Sequence, residues 1–204
     1  MKLHWSPKSP FVRKVMVAAH ELGLVDRIDT IRSVAAMGKP NLAIMSDNPL
    51  SKIPTLVLDD GEPIYDSVVI CEYLDDLAGG GRLFPRAGRA RWTALTWHAL
   101  GQGLTDLLVL WRNEREKPAG EQSAAWLAAF PVKAAASLDR LEAMAPDLNA
   151  GTFNIGHIAI GCALSYADFR FADLAWRDTR PALAAWHAGY AARPSAVATE
   201  VTDG

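Results

Sequence analysis

Trp5-Ser6-Pro7-Lys8-Ser9-Pro10-Phe11-Val12-Arg13-Lys14-Val15 joins two kinds of structure. Before it, Met1 to Trp5 is a short apolar run that reads as a strand. After it, apolar residues recur at Phe11, Val15, Ala19 and Leu22, the spacing of one helix face. Ser9 is placed as the N-cap of that helix and Pro10 as its first residue, where a missing N–H costs nothing. A hydroxyl is then held at the positive end of a helix, beside unpaired N–H donors. Such a position suits an anion, a thiolate included. Plain capping explains the same residue, and Ser6 is a competing hydroxyl. No Gly-x-Ser-x-Gly elbow surrounds either serine and no histidine is locally placed as a base, so a serine hydrolase is disfavoured.

Outward from this turn, strand and helix signals alternate. Arg27 to Ser33 reads as a second strand, followed by a loop from Met37 to Pro49 with room for one helical turn. Thr55 to Leu58, a turn at Asp59-Asp60-Gly61, and Glu62 to Tyr65 read as a hairpin. A helix from Ser67 to Leu77 closes the unit. The order β-α-β-loop-β-β-α is that of a thioredoxin-like α/β domain, residues 1–78. Gly79-Gly80-Gly81, with Pro85 and Gly88, is a linker over 79–88. Residues 89–204 carry helical patterns almost throughout: Arg89 to Arg115, Gln122 to Ala145 with a kink or split expected at Pro131, Asn154 to Arg170, and Pro181 to Ala192.

The 204 residues are half apolar with a net charge of −2, which excludes recruitment of nucleic acid or anionic lipid by global basicity. No apolar run approaches the roughly 20 residues that cross a bilayer, and no signal segment is evident. Cys71 and Cys162 lie far apart among apolar helical neighbours, so buried thiols and a cytoplasmic location are expected. The five histidines form no ligand cluster, and no metal is expected. Gly101-Gln102-Gly103 follows no strand and is not a nucleotide loop. The absence of Cys-x-x-Cys disfavours dithiol redox chemistry, with Cys71 read as core.

Two further segments carry signals. In Lys52-Ile53-Pro54-Thr55-Leu56 a proline enters a strand, either as an ordinary edge start or through a cis Ile53–Pro54 bond. The cis form would turn the Ile53 backbone outward, toward an extended peptide. In Tyr65-Asp66-Ser67, Ser67 is placed as a helix N-cap with Asp66 adding charge. The same pair could hold a zwitterion, Ser67 taking the carboxylate and Asp66 the ammonium.

These segments together, with Asn48 to Leu56 and, in the second half, Phe153-Asn154-Ile155-Gly156-His157-Ile158-Ala159 and Tyr166-Ala167-Asp168-Phe169-Arg170, resemble the cytosolic glutathione S-transferases. The resemblance implies an α/β plus all-α fold and glutathione as co-substrate. It makes Ser9 the donor to the glutathione sulfur. Ile53 before Pro54 pairs with the cysteinyl backbone, Asp66 and Ser67 hold the γ-glutamyl group, and Lys39 and Lys52 lie near the glycyl carboxylate. The thiolate would attack a small hydrophobic electrophile, a detoxification chemistry. The pocket for it is expected between the first turn and the helix from Arg89, at Phe11, Gln102, Asp106, Trp111 and Arg112, with Trp5 as further wall; the tryptophans also read as core. A homodimer is implied. A non-catalytic member of the fold, binding glutathione or a protein, is the alternative. Asn154 and His157 depart from the family's Ser/Thr cap and Asp three residues on; Asn154 can still cap, and His157 is not expected to complete a capping box.

Overall fold

Strand β1 (Lys2–Trp5) buries consecutive residues, Leu3 and His4, so both faces of the sheet are covered there. This is a computed structural model, and it describes residues 1–203. The chain turns through Ser6 to Ser9 into helix α1 (Pro10–Leu22), which ends at Gly23 in the left-handed region, φ 72°. Strand β2 (Asp29–Arg32) lies parallel to β1, with Lys2 opposite Asp29. Helix α2 (Leu42–Met45) is the single turn in the loop. Strands β3 (Thr55–Val57) and β4 (Pro63–Ile64) add antiparallel, giving the order β2-β1-β3-β4. Helix α3 (Ser67–Leu77) packs on α1 over one face. On the other, His4 bonds Ser33 Oγ and Asp47 Oδ2, each at 2.8 Å, tying the α2 loop to the sheet. This is a thioredoxin-like layer, with strands shorter than the alternation suggests.

The second half is helical: α4 (Gly88–Arg115), α5 (Ala124–Ala150), α6 (Ile155–Arg170), α7 (Pro181–Ala191) and α8 (Pro194–Ala198). The split expected at Pro131 is absent, and α5 also runs through Pro146. Pro131 removes only the bond to the Leu127 carbonyl, while Phe130, Ala134, Leu138, Leu141 and Leu148 remain buried along the helix. Packing outweighs the proline.

Helix α6 is buried along most of its length and belongs to two cores. Its first turns, Ile155, Ile158 and Cys162, pack with Leu3, Val15 and Ile70 of the α/β layer. Ile160, Leu164 and Tyr166 join Leu108, Leu141 and Trp186 in the helical core. Asn154 caps it, its Oδ1 accepting from the Gly156 N–H at 2.8 Å. The capping box is complete, contrary to the expectation for His157. A neutral imidazole has an acceptor nitrogen, and His157 Nδ1 accepts the Asn154 N–H at 3.1 Å. Its Nε2 donates to the Leu148 carbonyl at 3.1 Å, which sets the tautomer.

Between α3 and α4, three glycines in succession adopt positive φ, 100°, 70° and 86° at Gly79, Gly80 and Gly81. That conformation wraps the backbone around Asp75. Its buried carboxylate accepts from the N–H groups of Gly81, Arg82, Leu83 and Phe84 at 2.8–3.2 Å. The Leu83 carbonyl then accepts from the Ile155 N–H at 3.0 Å, joining the linker to the start of α6. Across the molecule, Glu21 on α1 receives Arg193 and Ser195 at 2.9, 2.8 and 2.5 Å, fastening α8 to the α/β layer. Cys71 and Cys162 are free and buried. Among the described residues no helix is long and apolar enough to cross a membrane.

Candidate active site

Strand register brings the three sequence segments together. Trp5 ends β1, and its neighbour His4 lies opposite Thr55, the first residue of β3. Ile64, the last residue of β4, lies opposite Leu56. The turn leaving β1, the entry to β3 and the exit from β4 therefore emerge side by side at one end of the sheet.

Ser9 caps α1 as its spacing predicts, with φ −86° and ψ 117°. Its Oγ accepts from the Val12 N–H at a long 3.3 Å and donates to no group in the described chain. The Phe11 N–H has no acceptor either. A hydroxyl proton and a helix-end N–H are thus unpaired at one point. Ser6 is engaged in the turn, its carbonyl accepting the Ser9 N–H at 3.2 Å. The Ile53–Pro54 bond is cis. The Ile53 N–H and C=O have no hydrogen-bond partner among the described residues, so this short stretch of backbone can pair with an extended chain.

At the third segment the cap is Asp66, a correction to the placement of Ser67. Asp66 is the extended residue, and its Oδ1 accepts the Val68 N–H at 3.1 Å. Ser67 is instead the first helical residue, and neither its N–H nor its hydroxyl finds a partner in the chain. An acceptor-only carboxylate thus stands beside two unpaired donors, the complement of an amino-acid zwitterion. Lys39 and Lys52 are both exposed on the loops leading here.

Helix α4 forms the opposite wall. Gln102 accepts from Lys14 Nζ at 2.5 Å and donates to the Asp106 carboxylate at 3.3 Å. Partial burial raises the Asp106 pKa, against the opposing pull of Gln102, Lys14 and Lys52. Lys14 is 2 % exposed, and its ammonium also meets His98 Nε2 at 3.1 Å. Burial lowers the Lys14 pKa, with Cys71, Asp66, Cys162 and Asp106 pulling it back. The same burial, with the Lys14 charge, holds His98 down to about 4, so it is a neutral acceptor. Burial pushes the Cys71 thiol up to about 12, which makes it an inert core group. A crevice too narrow to hold a water molecule is lined between the halves by Phe11, Lys14 and Gln102 among others.

Of the remaining pocket candidates, Arg112 is half-buried on α4 and bonds Asn113 Oδ1 at 2.7 Å, while Trp5 is half-buried under Arg32 at the sheet end. Trp111 sits in the helical core, stacked with Phe130 and tilted against Phe171 at 6.0 and 4.8 Å. Lys14 and His98 escape notice in the sequence. The available signal is that Lys14 shares the buried stripe Pro10-Lys14-Ala18, where a charged residue needs a reason.

Family models agree with this geometry. Residues 8–77 match the glutathione S-transferase N-terminal domain and residues 124–189 the C-terminal domain. The chain is 34% identical over 186 residues to the uncharacterized GST-like protein YibF of Escherichia coli K12, covering 90% of each. It is 42% identical to a glutathione transferase family member from Pseudomonas fluorescens Pf-5 solved with bound glutathione, covering 98% of each chain at a TM-score of 0.95. A second structure from that organism, with bound S-(propanoic acid)-glutathione, is 41% identical with a TM-score of 0.90, covering 99% of this chain and 100% of that one. Sheet order, helical half and sequence together establish that this chain belongs to the glutathione S-transferase family.

Proposed function

We propose that the protein is a glutathione transferase in which Ser9 stabilises the bound glutathione as its thiolate. The observation that carries this reading is the Ser9 hydroxyl, with its proton unpaired at the start of α1. Glutathione lies extended across the sheet end, its cysteinyl backbone on Ile53, its γ-glutamyl carboxylate on Ser67 and its ammonium on Asp66. Asp106 reinforces the ammonium from the helical side, and Lys39 and Lys52 face the glycyl carboxylate. The glutathione found in the similar Pseudomonas fluorescens protein supports this assignment.

The energetics suffice. A free thiol of pKa about 8.5 is mostly protonated at neutrality. Lowering that by two units needs about 2.7 kcal/mol. A hydroxyl bond to a charged group supplies about 1.5–3 kcal/mol and a helix N-terminus about 0.3–1 more. The thiolate sulfur then attacks an electrophile bound against α4, near Phe11 and Arg112. The S-(propanoic acid)-glutathione bound in the relative supports a place for a sulfur substituent beside the thiol. A homodimer in the cytoplasm completes the reading, favoured by Trp92 and Val69, exposed on adjacent helices α4 and α3, and by the two free thiols.

Thiolate absorbance of bound glutathione, titrated against pH, tests the assignment. Ser9→Ala should raise the bound thiol's pKa by about two units while glutathione still binds. An unchanged pKa removes Ser9 from the mechanism.

A further inference from the structure

Ser9 is followed in the cleft by a concentration of positive charge that glutathione binding does not use. Lys8, its chain neighbour, stands on the rim of the β1–α1 turn with its side chain 41% exposed. Arg170, the last residue of α6, lays its guanidinium over Phe169 with 3.9 Å to the ring centre. Both cations converge on one atom: Lys8 Nζ and Arg170 Nη2 each lie 3.4 Å from Asp203 Oδ1. Arg112 approaches from α4, and the buried Tyr166 phenol lies in the field of both Arg112 and Arg170.

Two features say that this cluster is incomplete. The Nε atoms of Arg112 and Arg170 are buried with no hydrogen-bond partner among the described residues, although buried donors are nearly always satisfied. The carboxylate of Glu116 comes no nearer than 3.5 Å to Arg112 Nε. And the acid that does pair with Lys8 and Arg170 is held loosely, since the Asp203 side chain is 73% exposed.

We propose that the electrophile carries an acidic group, bound by Lys8 and Arg170 where the Asp203 carboxylate sits in the free protein. The proposal rests on the transferase reading and names the substrate class of that site. It replaces the expectation of a purely hydrophobic electrophile. Two cations reach the acid from different parts of the fold, Lys8 from the α/β layer and Arg170 from α6. An acidic substrate therefore bridges the cleft beside the thiolate, and it must release Asp203 to do so.

A matched pair of product analogues isolates the acid from the rest of the ligand: S-(2-carboxyethyl)glutathione and S-propylglutathione, measured by titration calorimetry. Wild type should bind the acid more tightly. Arg170→Met should weaken the acid by roughly tenfold, the scale of a charge-assisted bond, and leave S-propylglutathione and glutathione itself unchanged. Lys8→Met should act in the same direction, and Asp203→Asn should tighten the acid alone. Equal affinity for the two analogues in wild type, or equal loss of both in Arg170→Met, overturns the proposal. Failure to bind glutathione at all overturns the transferase reading instead, and this proposal with it.

Discussion

The two walls of the cleft are built on different terms. The α/β wall offers hydrogen-bonding groups left over from secondary structure: a cap hydroxyl at Ser9, a strand-entry backbone at Ile53, a helix-start N–H and hydroxyl at Ser67. Each is positioned by a turn or cap encoded within a few residues. The helical wall offers long side chains whose partners lie far along the chain, such as Gln102 with Lys14 and Arg170 with Asp203. On the proposed function, one wall reads a fixed peptide shape and the other tunes what approaches it. The halves also use glycine differently. Gly79, Gly80 and Gly81 supply positive φ at the seam, whereas Gly101 on α4 supplies space against α6.

The seam is where the comparison is easiest to break. Asp75→Asn leaves one acceptor oxygen where a carboxylate receives four N–H groups, and should cost on the order of 3 kcal/mol or more in urea unfolding. Because the linker meets the start of α6, the two halves should unfold less cooperatively in that variant. A loss within 0.5 kcal/mol, roughly the scatter of surface substitutions, would show that the seam does not rest on Asp75.

The walls themselves separate in kinetics. Ser9→Ala should slow conjugation of every electrophile alike, by roughly 25-fold near pH 7, the fall in thiolate fraction as the pKa returns from about 6.5 to about 8.5. Arg170→Met should discriminate by the charge of the electrophile. Rates for an acidic electrophile and its neutral ester, measured in both variants, check this contrast; the same ratio in each would erase the distinction between the walls.

Next in size is the helical packing. A Cβ at position 101 would meet the backbone of Ala159 and Ile160 at 2.6 Å, and backbone cannot give as a flexible side chain can. Gly101→Ala should destabilise by about 2 kcal/mol, with α4 displaced from α6. Glutathione affinity should suffer less than electrophile turnover, since the α/β wall is untouched. Calorimetry alongside thermal unfolding checks both parts.

Acid provides a further probe. Burial holds His98 and His187 down to about 4, and lowers His157 as well, from an ordinary 6.5. Between about pH 6.5 and 4 the unfolded chain takes up protons at His98 and His187 and the folded chain does not. Stability is therefore whole above that window and falls as pH falls through it, by about 1.4 kcal/mol per pH unit for each such ring. Two of the three rings stand on α6 and α7, and His157 protonation would also remove the capping-box acceptor. The helical half should loosen first, reported by fluorescence of Trp176, 5.8 Å from the His187 ring. A flat stability profile between pH 7 and 5 would contradict the assignment.

Much of the fold was legible because its signals are local. The α1 and α3 boundaries, the hairpin and the glycine linker follow from apolar period, caps and turn residues within windows of a dozen residues. The errors came where a local rule met a longer-range force. Pro131 ought to end a helix, and burial of Phe130, Ala134 and Leu138 carries the helix through it. His157 lacks a carboxylate, and the Leu148 carbonyl selects the tautomer that makes its other nitrogen an acceptor. Ser67 and Asp66 are equally good caps on paper, and only the backbone angles at Asp66 decide between them.

The sequence by itself determined the family, the order of elements and the three segments that meet at one end of the sheet, because caps, turns and strand entries are written in neighbouring residues. Tertiary structure alone decided that Trp111 is core, that Lys14 and His98 lie buried between the halves, and that Lys8, Arg170 and Asp203 meet. Those contacts join residues distant in the chain, and a long charged side chain finds its partner only after the backbones that carry it have packed.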